Sequence, residues 1–135
     1  MANDPLPEDR WKKYFQATTN RKPRPLLLDA LSRFGEFRGF AIDLGCGAGV
    51  DAAEILHQGW KLLAIDQQPE ALELLHQRIP SSLFRNLTVQ VATFDQVQLP
   101  QADLVWSSLS LPFCPPEYFP RLWAEILHAL KPGGS

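Results

Sequence analysis

The chain has 135 residues, 45% of them apolar and 21% charged, the balance of a single soluble domain with a core of its own. A net charge of -2 disfavours a nucleic-acid partner, because phosphate binding asks for a basic surface, although Arg21, Lys22 and Arg24 form a local basic cluster. No run approaches the roughly 18 apolar residues of a membrane span, and the polar, proline-rich start is no signal peptide, so the cytoplasm is the expected compartment.

Trp11 to Phe15 is a short aromatic and basic segment. After Pro25, the spacing of Leu26, Leu27, Ala30, Leu31 and Phe34 predicts a helix that stops at Gly35. Phe40 to Leu44 is a short apolar run closing on glycines and predicts a buried strand. Val50 to Gln58 reads as a helix with Ala52, Ala53 and Leu56 inward and Gly59 as its stop. Lys61 to Ile65 is a second buried strand ending at Asp66, and Pro69 opens a third helix at the first-turn position it prefers. Leu72, Leu75 and Ile79 give that helix its apolar face, and Pro80 ends it. Leu87 to Ala92 alternates like an edge strand, and Asp103 to Leu109 predicts a fourth strand. Phe119, Leu122, Trp123, Ile126, Leu127 and Leu130 then repeat at helical spacing before Lys131-Pro132-Gly133-Gly134. Strands alternating with helices imply an α/β fold: a doubly wound, mainly parallel sheet with helices on both faces.

Cys46 and Cys114 form no Cys-x-x-Cys pair, and His57, His76 and His128 show no ligand spacing, so neither a disulfide framework nor a metal site is expected. Ala41-Ile42-Asp43-Leu44-Gly45-Cys46-Gly47-Ala48-Gly49-Val50 is the most informative segment. Glycines after a buried strand allow a tight turn and a close approach to ligand, and the following helix aims its N-terminal amides at the same space. A dinucleotide fingerprint would place a glycine where Val50 stands. Asp43 beside the loop would repel a pyrophosphate and suits a ligand carrying an ammonium or sulfonium. Asp66 ends the next strand at the same sheet edge, where a carboxylate can accept both hydroxyls of a ribose. An adenosine-like ligand with a zwitterionic tail satisfies both acids.

Asp43-Leu44-Gly45-Cys46-Gly47-Ala48-Gly49 followed by Asp66 resembles the first two motifs of class I S-adenosylmethionine-dependent methyltransferases. Asp95-Gln96-Val97-Gln98-Leu99-Pro100 resembles the family's acidic segment after strand three, Ala102 to Trp106 its fourth strand, and Leu130-Lys131-Pro132-Gly133-Gly134 the turn before strand five. The resemblance implies that Asp43, Gly45, Cys46, Gly47 and Gly49 hold the methionine part of S-adenosylmethionine and Asp66, with Gln67, the ribose. Phe94 and Asp95 would border the adenine, and Ser107 would line the pocket at the end of strand four. The family's sheet has seven strands, of which this sequence supplies the first four.

The implied organisation is an N-terminal segment, residues 1–24, as a lid carrying Trp11, Tyr14 and Phe15, and a binding domain over residues 25–135. The implied reaction is methyl transfer to a small-molecule acceptor, leaving S-adenosylhomocysteine. Ser107 to Phe113 lacks the Pro-Pro-Tyr or Pro-Pro-Phe motif of enzymes that methylate nucleobase or glutamine nitrogens, which disfavours those acceptors. Competing readings are a non-catalytic binding or interaction module, pairing with a second copy through an exposed sheet edge, and a nicotinamide-dependent oxidoreductase, which Asp43 and Val50 disfavour. Among blander roles, Asp66 could cap the helix at Pro69, Cys46 could simply pack, and Arg21 and Arg24 could be solvated.

Overall fold

The computed structural model describes residues 20–93, 95–107, 117 and 119–135. Four strands, β1 (Phe40–Leu44), β2 (Lys61–Asp66), β3 (Leu87–Val91) and β4 (Leu104–Trp106), form one sheet in the order β3-β2-β1-β4 with every pairing parallel. The helices are α1 (Pro25–Ser32), α2 (Val50–His57), α3 (Pro69–Arg78) and α4 (Phe119–Ala129), and a 3-10 helix over Ser81–Asn86 leads into β3. Pro25 and Pro69 both stand in the first turn of their helices, where the missing N–H costs nothing.

Strand alternation sorts the core into two layers. Ala41, Leu62, Ala64, Leu104 and Trp106 pack against Leu27, Leu31, Ile55, Leu56, Leu72 and Leu75 of α1, α2 and α3. Ile42, Leu44, Leu63 and Ile65 meet Leu122 and Ile126 of α4 on the opposite face. Helices therefore cover both faces, and β1 and β2, buried on both sides, read as continuous apolar runs. β3 is an edge strand with Val89 and Val91 exposed.

Two details depart from the sequence pattern. Leu122, Ile126 and Ala129 are buried, whereas Trp123 and Leu127 of the same predicted stripe are 49% and 54% exposed. These two lie one position further around the helix than the row that meets the sheet, and Leu130 leaves the helix to bridge Ala102 in parallel. The fourth strand is shorter than predicted; Ser108 and Leu109 lie outside the described residues.

β1, β2 and β3 step to one side, and β4 lies on the other side of β1. The carboxyl ends of β1 and β4 thus form the switch point where open α/β sheets place their ligands. The free side of β4 carries Ser135, whose N–H donates to the Asp103 carbonyl at 2.8 Å and whose carbonyl accepts from Val105 N–H at 2.7 Å. That is parallel pairing opposite Leu104.

Candidate cofactor-binding site

The glycine loop leaves β1 at the switch point and is tied to its neighbour at once: the Gly45 and Cys46 amides donate to the Ile65 carbonyl at 2.7 and 3.3 Å. Gly45, Gly47 and Gly49 take φ of +76°, +55° and +86°, values that L side chains rarely adopt. Gly49 also caps α2, and a Cβ there would stand 3.1 Å from the Leu75 Cα, so the loop and α3 can approach only through a glycine. The amides that open α2 face the same space with the positive end of the helix dipole.

Asp43 and Asp66 stand at the same edge. Register pairs Asp43 with Ala64 and Leu44 with Ile65, which puts Asp66 one step beyond the end of β1. Partnered residues share a face, so both acids project to the side covered by α2, as does Trp106, the β4 partner of Asp43. Both are buried, and the Asp66 charge adds to what pushes the Asp43 carboxyl up. The arrangement meets the requirement set by the loop: two carboxylates flank one glycine bend.

The two acids differ in what holds them. Asp66 accepts from the Gly47 amide at 3.1 Å and from the Gln68 amide at 2.9 Å, so it both braces the loop and closes the turn before α3. Burial pushes its carboxyl above the usual carboxylate range, while the amides of Gln68, Gly47 and Gln67 pull it back down. No donor among the described residues reaches the Asp43 carboxylate. Burial pushes it well up, Asp51 and Asp66 push further, and the Arg21 guanidinium opposes them. A carboxyl enclosed without described donors favours its neutral form, and a cation placed beside it would favour the charged one.

The remaining predicted residues divide. Cys46 is buried in the core layer under α2, and burial, Asp66 and Asp43 all push its thiol well up, the reverse of a reactive cysteine. Ser107 Oγ donates to the Leu44 carbonyl at 3.3 Å, which places it at the ends of β1 and β4. Gln67 is half-buried beside Asp66. Asp95 lies in the turn after β3 and accepts from the Thr93 hydroxyl. Phe94, and the proposed lid residues Trp11, Tyr14 and Phe15, lie outside the described residues.

Sequence reasoning missed a buried acid. Asp51, in the first turn of α2, accepts four hydrogen bonds: from Arg21 at 3.1 and 3.0 Å, from the Arg24 amide at 3.0 Å and from Trp106 Nε1 at 3.1 Å. Arg21 is therefore held by an ion pair and is not the solvated residue it could have been. Asp51 sits amid Val50, Ala52 and Ala53, a first turn with no outward face, and that was the available signal. Arg78 was also missed; its Nε donates to the Ala48 carbonyl at 3.0 Å and pins the loop from α3.

A parallel sheet with a glycine bend and two buried acids at its switch point is the architecture of a doubly wound α/β domain with its candidate site at the strand ends. Residues 41–134 match the family described as "Methyltransferase domain". The chain is 35% identical over 98 residues to a malonyl-[acyl-carrier protein] O-methyltransferase of Herminiimonas arsenicoxydans, a match covering 69% of this chain and 34% of that protein. It is 30% identical over 110 residues to a carboxy-S-adenosyl-L-methionine synthase of Yersinia enterocolitica, covering 76% of this chain and 41% of that one. A solved S-adenosylmethionine-dependent methyltransferase from Mesorhizobium loti superposes with a TM-score of 0.67 at 31% identity, over 82% of this chain and 49% of that one. The chain thus spans less than half the length of these relatives. It belongs to the class I S-adenosylmethionine-dependent methyltransferases.

Proposed function

We propose that the protein binds S-adenosylmethionine at the switch point of its sheet and transfers the methyl group to a small-molecule acceptor, releasing S-adenosylhomocysteine. The observation that carries this reading is Asp43, a carboxyl 2% exposed and without a donor among the described residues, beside a glycine bend. A pyrophosphate there would face that charge at close range; an ammonium would neutralise it.

In this reading Asp43 holds the amino group of the methionine part, and the loop leaves room for its main chain because Gly45, Gly47 and Gly49 carry no side chain. Asp66 receives the ribose hydroxyls through the lone pairs that Gly47 and Gln68 leave free, with Gln67 alongside. Asp95 and Phe94 border the base, and Ser107 lines the floor at the end of β4. A bound sulfonium supplies an already electrophilic methyl carbon, so the work left to the chain is orientation and the exclusion of water. The net charge of -2 and the absence of the Pro-Pro-Tyr motif support a small acceptor over a nucleic acid.

The test is thermal stabilisation by ligand. A ligand at a hundredfold its Kd stabilises by about 2.7 kcal/mol. S-adenosylhomocysteine should raise the Tm of the full chain, and NADH at the same concentration should leave it unchanged. A shift with NADH and none with S-adenosylhomocysteine overturns the assignment. Radiolabelled methyl transfer to pools of small acids, amines and thiols, against RNA and protein pools, then tests the acceptor class.

A further inference from the structure

Residues 20–24 form a short strap that leads into α1 and lies against the first turn of α2. Pro23 and Pro25 restrict it, and Arg24, held extended by the proline that follows, has φ of -68° and ψ of 135°. Among the described residues, every hydrogen bond that ties the strap to the body beyond α1 ends on one carboxylate. Arg21 grips both oxygens of Asp51 with its two terminal nitrogens at 3.1 and 3.0 Å, and the Arg24 amide donates to the same group at 3.0 Å. Asp51 also reaches the site. It stands two residues past Gly49, on the helix whose opening amides face the proposed cofactor. It accepts from Trp106 Nε1 at 3.1 Å as well. Trp106 is the β4 partner of Asp43 and precedes Ser107, whose hydroxyl donates to the Leu44 carbonyl at the strand ends.

We infer that Asp51 is a positioning residue through which docking of the 20–24 strap and binding of the cofactor reinforce each other. The inference rests on the reading of this sheet edge as the S-adenosylmethionine site. With the strap docked, the Asp51 carboxylate is saturated, and the first turn of α2 and the indole at the end of β4 are fixed with it. Release of the strap removes three of its four hydrogen bonds and leaves a buried carboxylate with the indole alone. An acid in a first helical turn then turns to the free amides of its own helix, which the helix dipole favours. Those amides face the cofactor, so release occupies part of the site and a seated cofactor opposes release. By linkage one factor describes both effects: the suppression of release by saturating ligand equals the affinity lost when the strap is released.

Trypsin reads the strap directly. Lys22 and Arg24 each precede proline and resist it, so the bond after Arg21 is the strap's one tryptic site, while the bond after Lys61, inside β2, reports unfolding of the body. At low trypsin, where reclosing outpaces cutting, the rate after Arg21 counts the released population. On the full chain, saturating S-adenosylhomocysteine should slow that cut about tenfold, a factor usual for coupling between two sites. Asp51→Asn should speed the cut after Arg21 and leave the cut after Lys61 near the wild-type rate. Arg21→Gln, which keeps the Asp51 charge, should bind S-adenosylhomocysteine in calorimetry more weakly by up to the wild-type protection factor. A ligand that binds the wild type but leaves the Arg21 cut unchanged overturns the inference and spares the functional reading. So does an Arg21→Gln chain that binds as tightly as the wild type. Cuts after Arg21 and Lys61 that quicken together in Asp51→Asn make Asp51 a fold residue only and overturn it too. No binding to the wild type overturns the functional reading and the coupling with it. Should Asp51→Asn fail to fold, Arg21→Lys takes its place, since it keeps a tryptic site and loses the two-pronged grip. A strap cut no faster there, relative to a peptide of residues 16–26 with the same substitution, overturns the inference.

Discussion

Replacing Asp43 with asparagine should make the free protein more stable and the liganded protein much less so. The side chain is 2% exposed, and no described donor offsets its loss of water. Burial, then Asp51, then Asp66 raise its pKa, against the opposing pull of Arg21. A carboxyl whose folded pKa lies above its unfolded value holds its proton more tightly when folded. Its contribution to stability is full below the unfolded value near 3.9 and is lost as pH rises through the folded one. The wild type therefore carries a penalty at pH 8 that it escapes near pH 4, and Asp43→Asn never carries it. The desolvation of one buried polar group is worth about 1–3 kcal/mol, which at this chain length moves Tm by roughly 3–10 °C. Calorimetry across pH 4 to 8 should show the variant's advantage opening as pH rises. Its affinity for S-adenosylhomocysteine should fall at least about thirtyfold, about 2 kcal/mol, the lower range for losing one member of a buried charge pair. A variant less stable than the wild type at pH 8, or an advantage that does not depend on pH, refutes the reasoning about burial. Unchanged affinity refutes the role.

Asp66→Ala should act with the opposite sign on stability, because the Gly47 and Gln68 amides lose their acceptor. A loss of about 1–2 kcal/mol in urea unfolding is expected, with at least a tenfold weaker ligand. Gly49→Ala should cost about 1–3 kcal/mol in the same assay, since φ of +86° strains an alanine and its Cβ meets the Leu75 backbone at 3.1 Å. In a Cys114→Ser background, Cys46 should react with a thiol reagent at pH 8 at under about a tenth of the rate of a free thiol, and fully in denaturant, because burial and two nearby acids suppress its thiolate.

The strands, their parallel pairing and the helices on both faces were legible because the apolar runs of β1 and β2 end on glycine or on Asp66, and because prolines open α1 and α3. The edge character of β3 followed from its alternation. The exposed half of the α4 stripe was not legible. Trp123 and Leu127 sit at helical spacing from buried residues, and only the docking angle on the sheet separates one row from the next. In the site, the loop and its two acids are local in sequence and could be placed by register. The Arg21–Asp51–Trp106 cluster could not, because its members come from three segments, with |i−j| of 30 between the first two and 55 between the last. A long-range ion pair leaves no period and no spacing to read.

Three aspartates lie buried at one edge of the sheet, and their hydrogen bonding separates their roles better than their burial does. Asp51 has four donors, which saturate its two oxygens and leave nothing to offer a ligand; it belongs to the scaffold. Asp66 accepts from the Gly47 and Gln68 amides, with the Gln67 amide also favouring its charged form, and keeps lone-pair capacity for a further partner. Asp43 has no described donor at all, and folding alone gives no return for that enclosure, since an unpaired buried charge opposes the folded state. Such a group persists when a partner outside the chain neutralises it. In the proposed reading that partner is cationic, small enough to reach a strand end behind a glycine bend, and compatible with the half-satisfied Asp66 beside it. A nucleoside with a charged amino acid tail meets all three conditions, and a dinucleotide fails the first.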